Sequence, residues 1–424
     1  MNTLEDRVVS AIHEKFCALP TKSKPRASTS DVHEWVPLSG IAIIGEDDKI
    51  TCLTLGTGMK CLPASKSSLL ASGTVLHDWH AEILAIRAFN HFLLQECHKS
   101  VSCANYTSPI LRRRQTHEVS KLQGLQQFGV REGLRIMMYC SEAPCGDASM
   151  ELVMEAQEDP TPWPVTASSE GYASSLLGRG SFSQLGIVRR KPGKHHTWWI
   201  LYATDKFHEQ ARADSPVTFS KSCSDKLALK QCTSLLSSPI SLLVSPENAY
   251  IDTLILPHYQ YRQQACERAF GPTGRMKSVA NLTWPAGYGF RPFRVETTVI
   301  DFQYSRKAHI NNTDSCKGSN ISAVWSPRQQ ETLINGVLQG RRQTDQMGAS
   351  AMSRIQVYNL LLDIIGLIDS PAVKKALEIP SYPDMKRSQY LEHRRRVKED
   401  VKSEALKGWN NESFGGLLQR DLQP

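Results

Sequence analysis

His80 and Glu82 stand two residues apart in His80-Ala81-Glu82, at the head of an apolar stretch. Two further motifs carry thiols. They are Pro144-Cys145-Gly146-Asp147, just after the apolar run Leu134 to Ser141, and Ser222-Cys223-Ser224-Asp225-Lys226. Imidazole and thiolate are donors that zinc favours, and a catalytic zinc takes three protein ligands and leaves one position open. Zinc lowers the pKa of a bound water to roughly 7, which brings hydrolysis within reach at neutral pH. Hydrolytic loss of ammonia from a nucleobase also needs a carboxylate that is not a ligand. It carries the water's proton to the ring nitrogen and the leaving amine. His80 and Cys145 are therefore candidate ligands and Glu82 the candidate proton carrier. The general zinc-deaminase signature is P-C-x-x-C, but Ala148 stands where its second cysteine would be. A second thiolate must come from elsewhere, and Cys223 has the most distinctive setting among the remaining cysteines. An isolated H-x-E or P-C pair arises often by chance; the ordered set carries the weight.

The elements that hold these residues follow from periodicity. Ile83, Ile86, Phe89 and Leu93 recur at spacings of three and four, which predicts an amphipathic helix over His80 to Cys97. Leu134 to Ser141 reads as a buried strand. Pro144 then suits the first turn of a helix reaching about Gln157, with Cys145 at its dipole-favoured N-terminus. Upstream, Val8, Val9, Ile12 and Phe16 predict a helix ended by Leu19-Pro20. Ile41 to Ile44 and Ile50 to Leu55 flank a polar turn and predict a hairpin. Leu111 to Gly133 carries no assignable pattern, and Glu158 to Gly180 has the Pro, Ser, Thr and Gly content of a surface loop. Ser241 to Val244 and Ile251 to Leu256 read as strands, Val357 to Ile368 and Asp384 to Trp409 as helices. This mixture indicates an α/β or α+β unit without an evident linker or repeat.

Composition sets the outer bounds. The 424 residues suffice for a large core, and 40% hydrophobic with 22% charged residues is ordinary for a globular chain. Lys+Arg of 50 against Asp+Glu of 42 gives +8, a modest excess that permits a polyanionic partner. No stretch is long and apolar enough for a bilayer, and Met1 to Glu14 lacks the apolar core of a signal peptide. The expectation is a protein of the cytoplasm or nucleus, with no membrane association and no obligatory protein partner. There the 11 cysteines stay reduced, most of them as small apolar residues.

Taken together, LHDWHAE (Leu76 to Glu82), APCGD (Ala143 to Asp147) and SCSDK (Ser222 to Lys226) resemble the adenosine deaminases acting on RNA. The sequence is most similar to the tRNA-specific adenosine deaminase 1 group in its fungal form. Its HDW before HAE, RGSFSQLGIVRRKPG (Arg179 to Gly193) and SCSDKLALKQ ending at Gln231 carry that likeness. The resemblance extends from about Arg7 to Gly415. It implies a cytidine-deaminase-like three-layer α/β fold with a central mixed sheet, enlarged by C-terminal helices, in a single domain over 1–424. It implies Zn2+ held by His80, Cys145 and Cys223, with the SCSDK cysteine as third ligand. The implied reaction is adenosine to inosine, at the base just 3′ of the anticodon of alanine tRNA. Such a base is already unpaired, so extruding it costs less than flipping from a duplex. Deamination of another structured RNA, an inactive deaminase fold serving as an RNA-binding subunit, and a free-nucleoside deaminase are the alternatives. The carboxylate of Glu82, which a binding module does not need, argues against the inactive one.

The double-stranded-RNA members of the family bury an inositol hexakisphosphate. The resemblance implies Arg87, Lys226, Arg354, Tyr382, Lys386 and Trp409 as counterparts of that site here, with Asp78 linking Lys226 to the metal. The sequence departs from those members at His77, Ile86 and Leu229, and Lys230 is placed to stand in beside Leu229. Lys60 resembles the lysine near the target nucleotide, and Arg189, Arg190 and Lys191 before Pro192-Gly193 form a candidate phosphate-binding run. Arg112-Arg113-Arg114 is another basic cluster, of a kind that is more often a solvated loop. Residues 194–211 read as an insertion; His195, His196 and His208 within it are not taken as a second metal site.

Overall fold

A computed structural model of the chain describes residues 3–26, 32–70, 72–120, 124–155, 218, 220–310, 315–368, 374, 381–407 and 409. Eight strands form its main sheet: β1 (Leu38–Ile44), β2 (Ile50–Thr57), β3 (Arg135–Cys140), β4 (Thr253–Pro257), β5 (Arg294–Thr298), β6 (Ile321–Ser326), β7 (Gln329–Ile334) and β8 (Val337–Leu338). Their order is β5-β4-β3-β1-β2-β6-β7-β8. β3, β4 and β5 run parallel, and every other neighbouring pair is antiparallel. The hairpin of β1 and β2 lies where the sequence predicts it.

Successive side chains of a strand point to opposite faces, and here each face has its own core. Ile136, Met138 and Cys140 of β3 belong to one, Met137 and Tyr139 to the other; Leu254 and Leu256 of β4 are separated from Ile255 in the same way. Helix α1 (Leu4–Cys17) covers the second face with Val8, Val9, Ile12 and Phe16, and Thr3 and Asp6 close a reciprocal capping box at its start. On the first face lie α2 (Ala81–Ser102), α4 (Cys223–Thr233), α6 (Arg354–Leu367) and α8 (Glu392–Glu404). The result is the three-layer α/β arrangement, with helices after Ser353 enlarging one side. Among the described residues, no helix is long and apolar enough to cross a membrane.

Four local expectations are corrected. First, α2 is not amphipathic in place. Ile86, Phe89 and Leu93 enter the first core, but Leu84 and Ala88 pack with Trp79 and Val324 in a third. Second, no helix begins at Pro144: a 3-10 turn Asp147–Ser149 precedes α3 (Met150–Glu155), and Gly146 at φ 108° cannot lie within a right-handed helix. Third, Ser241 to Val244 is not a strand: its first two residues complete a 3-10 turn, Ile240–Leu242, and only Val244 enters a strand of two residues. A short apolar run does not by itself distinguish the two. Fourth, Asp384 to Trp409 is not continuous. α7 (Tyr382–Arg387) ends at Ser388, whose ψ of 142° breaks the helix, and a 3-10 turn leads into α8. The unassigned stretch after Leu111 contains the antiparallel pair Leu111–Arg113 and Phe128–Val130. The insertion 194–211 lies outside the described residues.

Candidate metal centre

Three segments far apart in sequence bring His80, Cys145 and Cys223 together. The Nδ1 atom of His80 is 3.9 Å from Cys145 Sγ and 3.5 Å from Cys223 Sγ, and all three donor atoms lie within 4.8 Å of one another. Zinc bonds of about 2.3 Å to sulfur and about 2.0–2.1 Å to nitrogen put tetrahedral S···N edges near about 3.6 Å. The donor set therefore fits zinc in both kind and spacing, with room for one further ligand.

Each donor is held by local structure. His80 ends a short strand, Asp78–His80, and caps α2. Cys223 opens α4 beneath the Ser222 cap, and its backbone N–H donates to Cys145 Sγ at 3.3 Å. Helix N-termini favour thiolates; the structure gives that place to Cys223, not Cys145. Cys145 sits in an irregular turn tied to the start of α4: Ser224 N donates to Cys145 O at 3.0 Å and Ser224 Oγ to Pro144 O at 2.8 Å. Gly146 makes this approach possible, since a Cβ there would lie 2.4 Å from Ser222 Oγ.

Glu82 occupies the first turn of the helix that His80 caps, and is buried. Its charge acts on Glu142, a residue that motif reading passes over although it precedes Ala143-Pro144-Cys145. Burial, with a smaller contribution from Glu82, raises the Glu142 carboxyl to about 7 against the opposing influence of Arg306. Gln260, after β4, donates to Glu142 Oε2 at 2.5 Å and accepts from Ala143 N at 3.0 Å, fixing the entry to the cysteine turn.

On another side of His80 lies Asp78, whose Oδ1 accepts from His80 N at 3.0 Å. Its Oδ2 accepts from Ser220 Oγ at 2.6 Å and from the Lys226 ammonium. From Asp78 a run of cations extends away. Burial pushes the Arg87 guanidinium down, Asp78 and Tyr382 oppose this, and Arg354 adds to it; Arg87 Nε is buried without a hydrogen-bond partner. Burial, then Arg394, Lys398 and Arg87, push the Lys230 ammonium well below its usual range. Burial, then Arg394, Lys402 and Lys386, hold Lys398 at about 7. Arg354 and Lys386 each stand 5.1 Å from the Tyr382 ring centre, and Lys402 stands 5.4 Å from that of Trp409. The structure thus joins Arg87, Lys230, Arg354, Tyr382, Lys386 and Trp409 into one basic cluster bordered by Lys226. It adds Arg394, Lys398 and Lys402, which the sequence reading missed although they recur every four residues on α8.

The RNA-contact candidates divide. Lys60 lies in Met59–Cys61, which pairs antiparallel with Asp78–His80 so that Lys60 is opposite Trp79, beside the metal ligand. Its ammonium is bonded to Asn320 and is pushed down by burial and Lys317. Arg189, Arg190 and Lys191 lie outside the described residues. Arg112, Arg113 and Arg114 lie in and just after a strand rather than in a loop, with Arg113 exposed. Arg112 pairs with Glu118 at 2.7 Å, Arg113 donates to Ser100 O at 2.8 Å, and Arg114 to Gly124 O and Gln126 O at 3.1 and 3.0 Å.

Comparison with known proteins bears on the same residues. The chain is 35% identical over 362 residues, 84% of each chain, to "tRNA-specific adenosine deaminase 1" of Schizosaccharomyces pombe. It is 28% identical over 266 residues, 61% of this chain and 59% of the relative, to the protein of that name in Saccharomyces cerevisiae. To the mouse protein of that name it is 25% identical over 460 aligned positions, 84% of this chain and 86% of the relative. The adenosine-deaminase (editase) domain pattern matches residues 54–413, a span that contains His80, Glu82, Cys145, Cys223 and the whole basic cluster. On that span and this arrangement of donors, the chain belongs to the adenosine-deaminase (editase) domain family.

Proposed function

We propose that this protein is a zinc-dependent hydrolase that converts adenosine to inosine in tRNA, at the base just 3′ of the anticodon of alanine tRNA. The convergence of His80, Cys145 and Cys223 beside Glu82 carries this reading. Zinc bound there would supply a water acidified to near-neutral pKa. The protein's own part is to hold and move protons. Glu82, fixed in the first turn of α2, would carry two protons in turn: one from the attacking water to the purine ring nitrogen, then one from the newly added hydroxyl to the departing amine. Asp78 keeps the His80 backbone in place, and Lys226 and Ser220 keep Asp78 in place. The names of the relatives support tRNA as the substrate class. Lys60 and, in the stretch outside the described residues, Arg189, Arg190 and Lys191 are the proposed RNA contacts.

The basic cluster supports a second constituent, a structural inositol hexakisphosphate. Buried cations are costly unless paired, and a multivalent phosphate pairs many at once. Arg87 with its unpartnered Nε, Lys230, Arg354 and Lys386 would hold it, with Tyr382 and Trp409 alongside. Incubation with total tRNA followed by mapping of new inosines by sequencing tests the activity. The expected outcome is one new inosine beside the alanine anticodon. Inosines confined to other RNAs would replace the substrate, and zinc-loaded protein forming none would end the proposal. Mass spectrometry of denatured protein should release one inositol phosphate per chain, and a clean absence removes that constituent.

A further inference from the structure

The two thiolate motifs share a spacing that the reaction does not use: Asp147 follows Cys145 by two residues, and Asp225 follows Cys223 by two. Both carboxylates are fully buried. A single guanidinium reaches both. Arg275 Nη1 donates to Asp225 Oδ1 at 2.5 Å, and its Nε lies 3.9 Å from Asp147 Oδ2, with the Arg275 side chain 5% exposed. Asp147 is gripped from a second side by Arg268, whose Nε donates to Oδ1 at 2.8 Å and whose Nη2 donates to the Asp147 carbonyl at 2.9 Å. The other oxygen of Asp225 accepts from Ser222 Oγ at 2.6 Å.

The sequence builds this link deliberately. Arg268 lies on α5 (Gln263–Phe270), and the turn Gly271-Pro272-Thr273-Gly274 brings Arg275 back against it. Gly274 is required there, because a Cβ would lie 2.3 Å from Glu267 O and 2.4 Å from Arg268 O. Arg275 Nε also donates to Ala269 O at 3.0 Å, so the guanidinium is oriented from its own chain as well. A buried ion pair is a weak source of net stability, since desolvation offsets its attraction. What a guanidinium hydrogen-bonded to one carboxylate and held 3.9 Å from the other does supply is a common counter-charge, fixed from its own chain, that draws the two toward one point.

We propose that Arg275 is a positioning residue that sets the separation of Cys145 and Cys223 by clamping Asp147 to Asp225, so that the thiolate pair is in register before metal arrives. The proposal rests on the zinc reading above. Residues that orient metal ligands typically account for about 10- to 100-fold in affinity.

The test uses the full chain, zinc affinity by chelator competition, and the visible spectrum of the cobalt(II)-substituted protein, whose bands report ligand geometry. Arg275→Met should bind zinc about 10- to 100-fold more weakly and shift the cobalt bands, and Arg275→Lys should recover part of both. Arg328→Met is the control. It removes the half-buried partner of buried Glu96, remote from the thiolates, and should lower thermal stability while leaving affinity and spectrum at wild-type values. If Arg275→Met does not fold, Asp225→Asn, which keeps the shape and removes the charge, is read the same way. Folded Arg275 or Asp225 variants with wild-type affinity and spectrum overturn the clamp alone. Wild-type protein that takes up no zinc overturns the metal reading and the clamp with it.

Discussion

At the scale of single residues, the proposed reaction separates holding from proton transfer. His80, Cys145 and Cys223 are the candidate donors, whereas Glu82 stands in the first turn of the helix that His80 caps. Glu82→Gln should therefore retain zinc and tRNA binding while inosine formation falls by about 10²-fold or more. Loss of zinc from this variant would show that the carboxylate is a ligand instead. Cys223→Ala should behave oppositely. It removes a buried donor and leaves the Cys145 and His80 atoms facing a gap. Elemental analysis should find little zinc, and unfolding should shift to lower denaturant because metal binding and folding are coupled.

At the scale of elements, two local structures make testable demands. The turn carrying Cys145 passes through Gly146 at φ 108°, against the Ser222 side chain. Gly146→Ala places a Cβ in a left-handed conformation, a cost of at least about 1–2 kcal/mol, and pushes the turn off the start of α4. Urea unfolding should report that loss, together with weaker zinc retention. Helix α8 presents Arg394, Lys398 and Lys402 at successive fourth positions, a spacing at which like charges repel. The folded-state pKa of Lys398, about 7, lies below the roughly 10.4 of an unfolded lysine. Below the folded value both states hold the proton, and the folded protein bears the full cost of the charge. Between the two values the unfolded chain holds more protons, so stability rises with pH. Relative to Lys398→Met, ligand-free protein should thus gain stability between pH 7 and pH 9, the buried thiols of Cys97 and Cys140 acting in the opposite sense in both proteins. Added inositol hexakisphosphate should raise the melting temperature most near pH 7. A wild-type slope that matches the Lys398→Met slope would remove Lys398 as its cause.

At the scale of the whole molecule, the mixed sheet explains why distant motifs meet. β3 and β4 run parallel, so the chain leaves both at one end. The cysteine turn follows β3 and Gln260 follows β4, and Gln260 bonds to the turn. Ligand sites of α/β sheets gather outside the carboxyl ends of such strands. His80 reaches the same place because its short strand pairs with Met59–Cys61, just after β2. Because three separate segments supply the donors, an ion bound there would cross-link the fold. Removing zinc with a chelator should lower the melting temperature, and zinc added back should restore it. Indifference to the chelator in protein shown to have lost its zinc would mean that the segments are fixed without the metal.

The amino-acid sequence by itself determined what is local. It specified the donors and the carboxylate by residue type, α1 by its four buried apolar positions, and the β1–β2 hairpin by two apolar runs around a polar turn. It also pointed to Asp78 as the link between Lys226 and the candidate ligand His80, through the family likeness rather than through periodicity. Tertiary structure alone decided the rest. The role of Arg275 depends on carboxylates 50 and 128 positions away in the chain, and no window of sequence contains both ends of such a contact. Strands β5 to β7 interrupt their apolar positions with buried Thr298, Ser322, Ser326 and Thr332, so their pairing is set by the neighbours they meet. The arginines at 112 to 114 read as a free basic run, yet they bond to a carboxylate and carbonyls of a small hairpin and to a carbonyl of α2. A side chain's chemistry is written in its type, but whether it faces water, a backbone or a metal is settled only when the chain closes on itself and removes the alternatives.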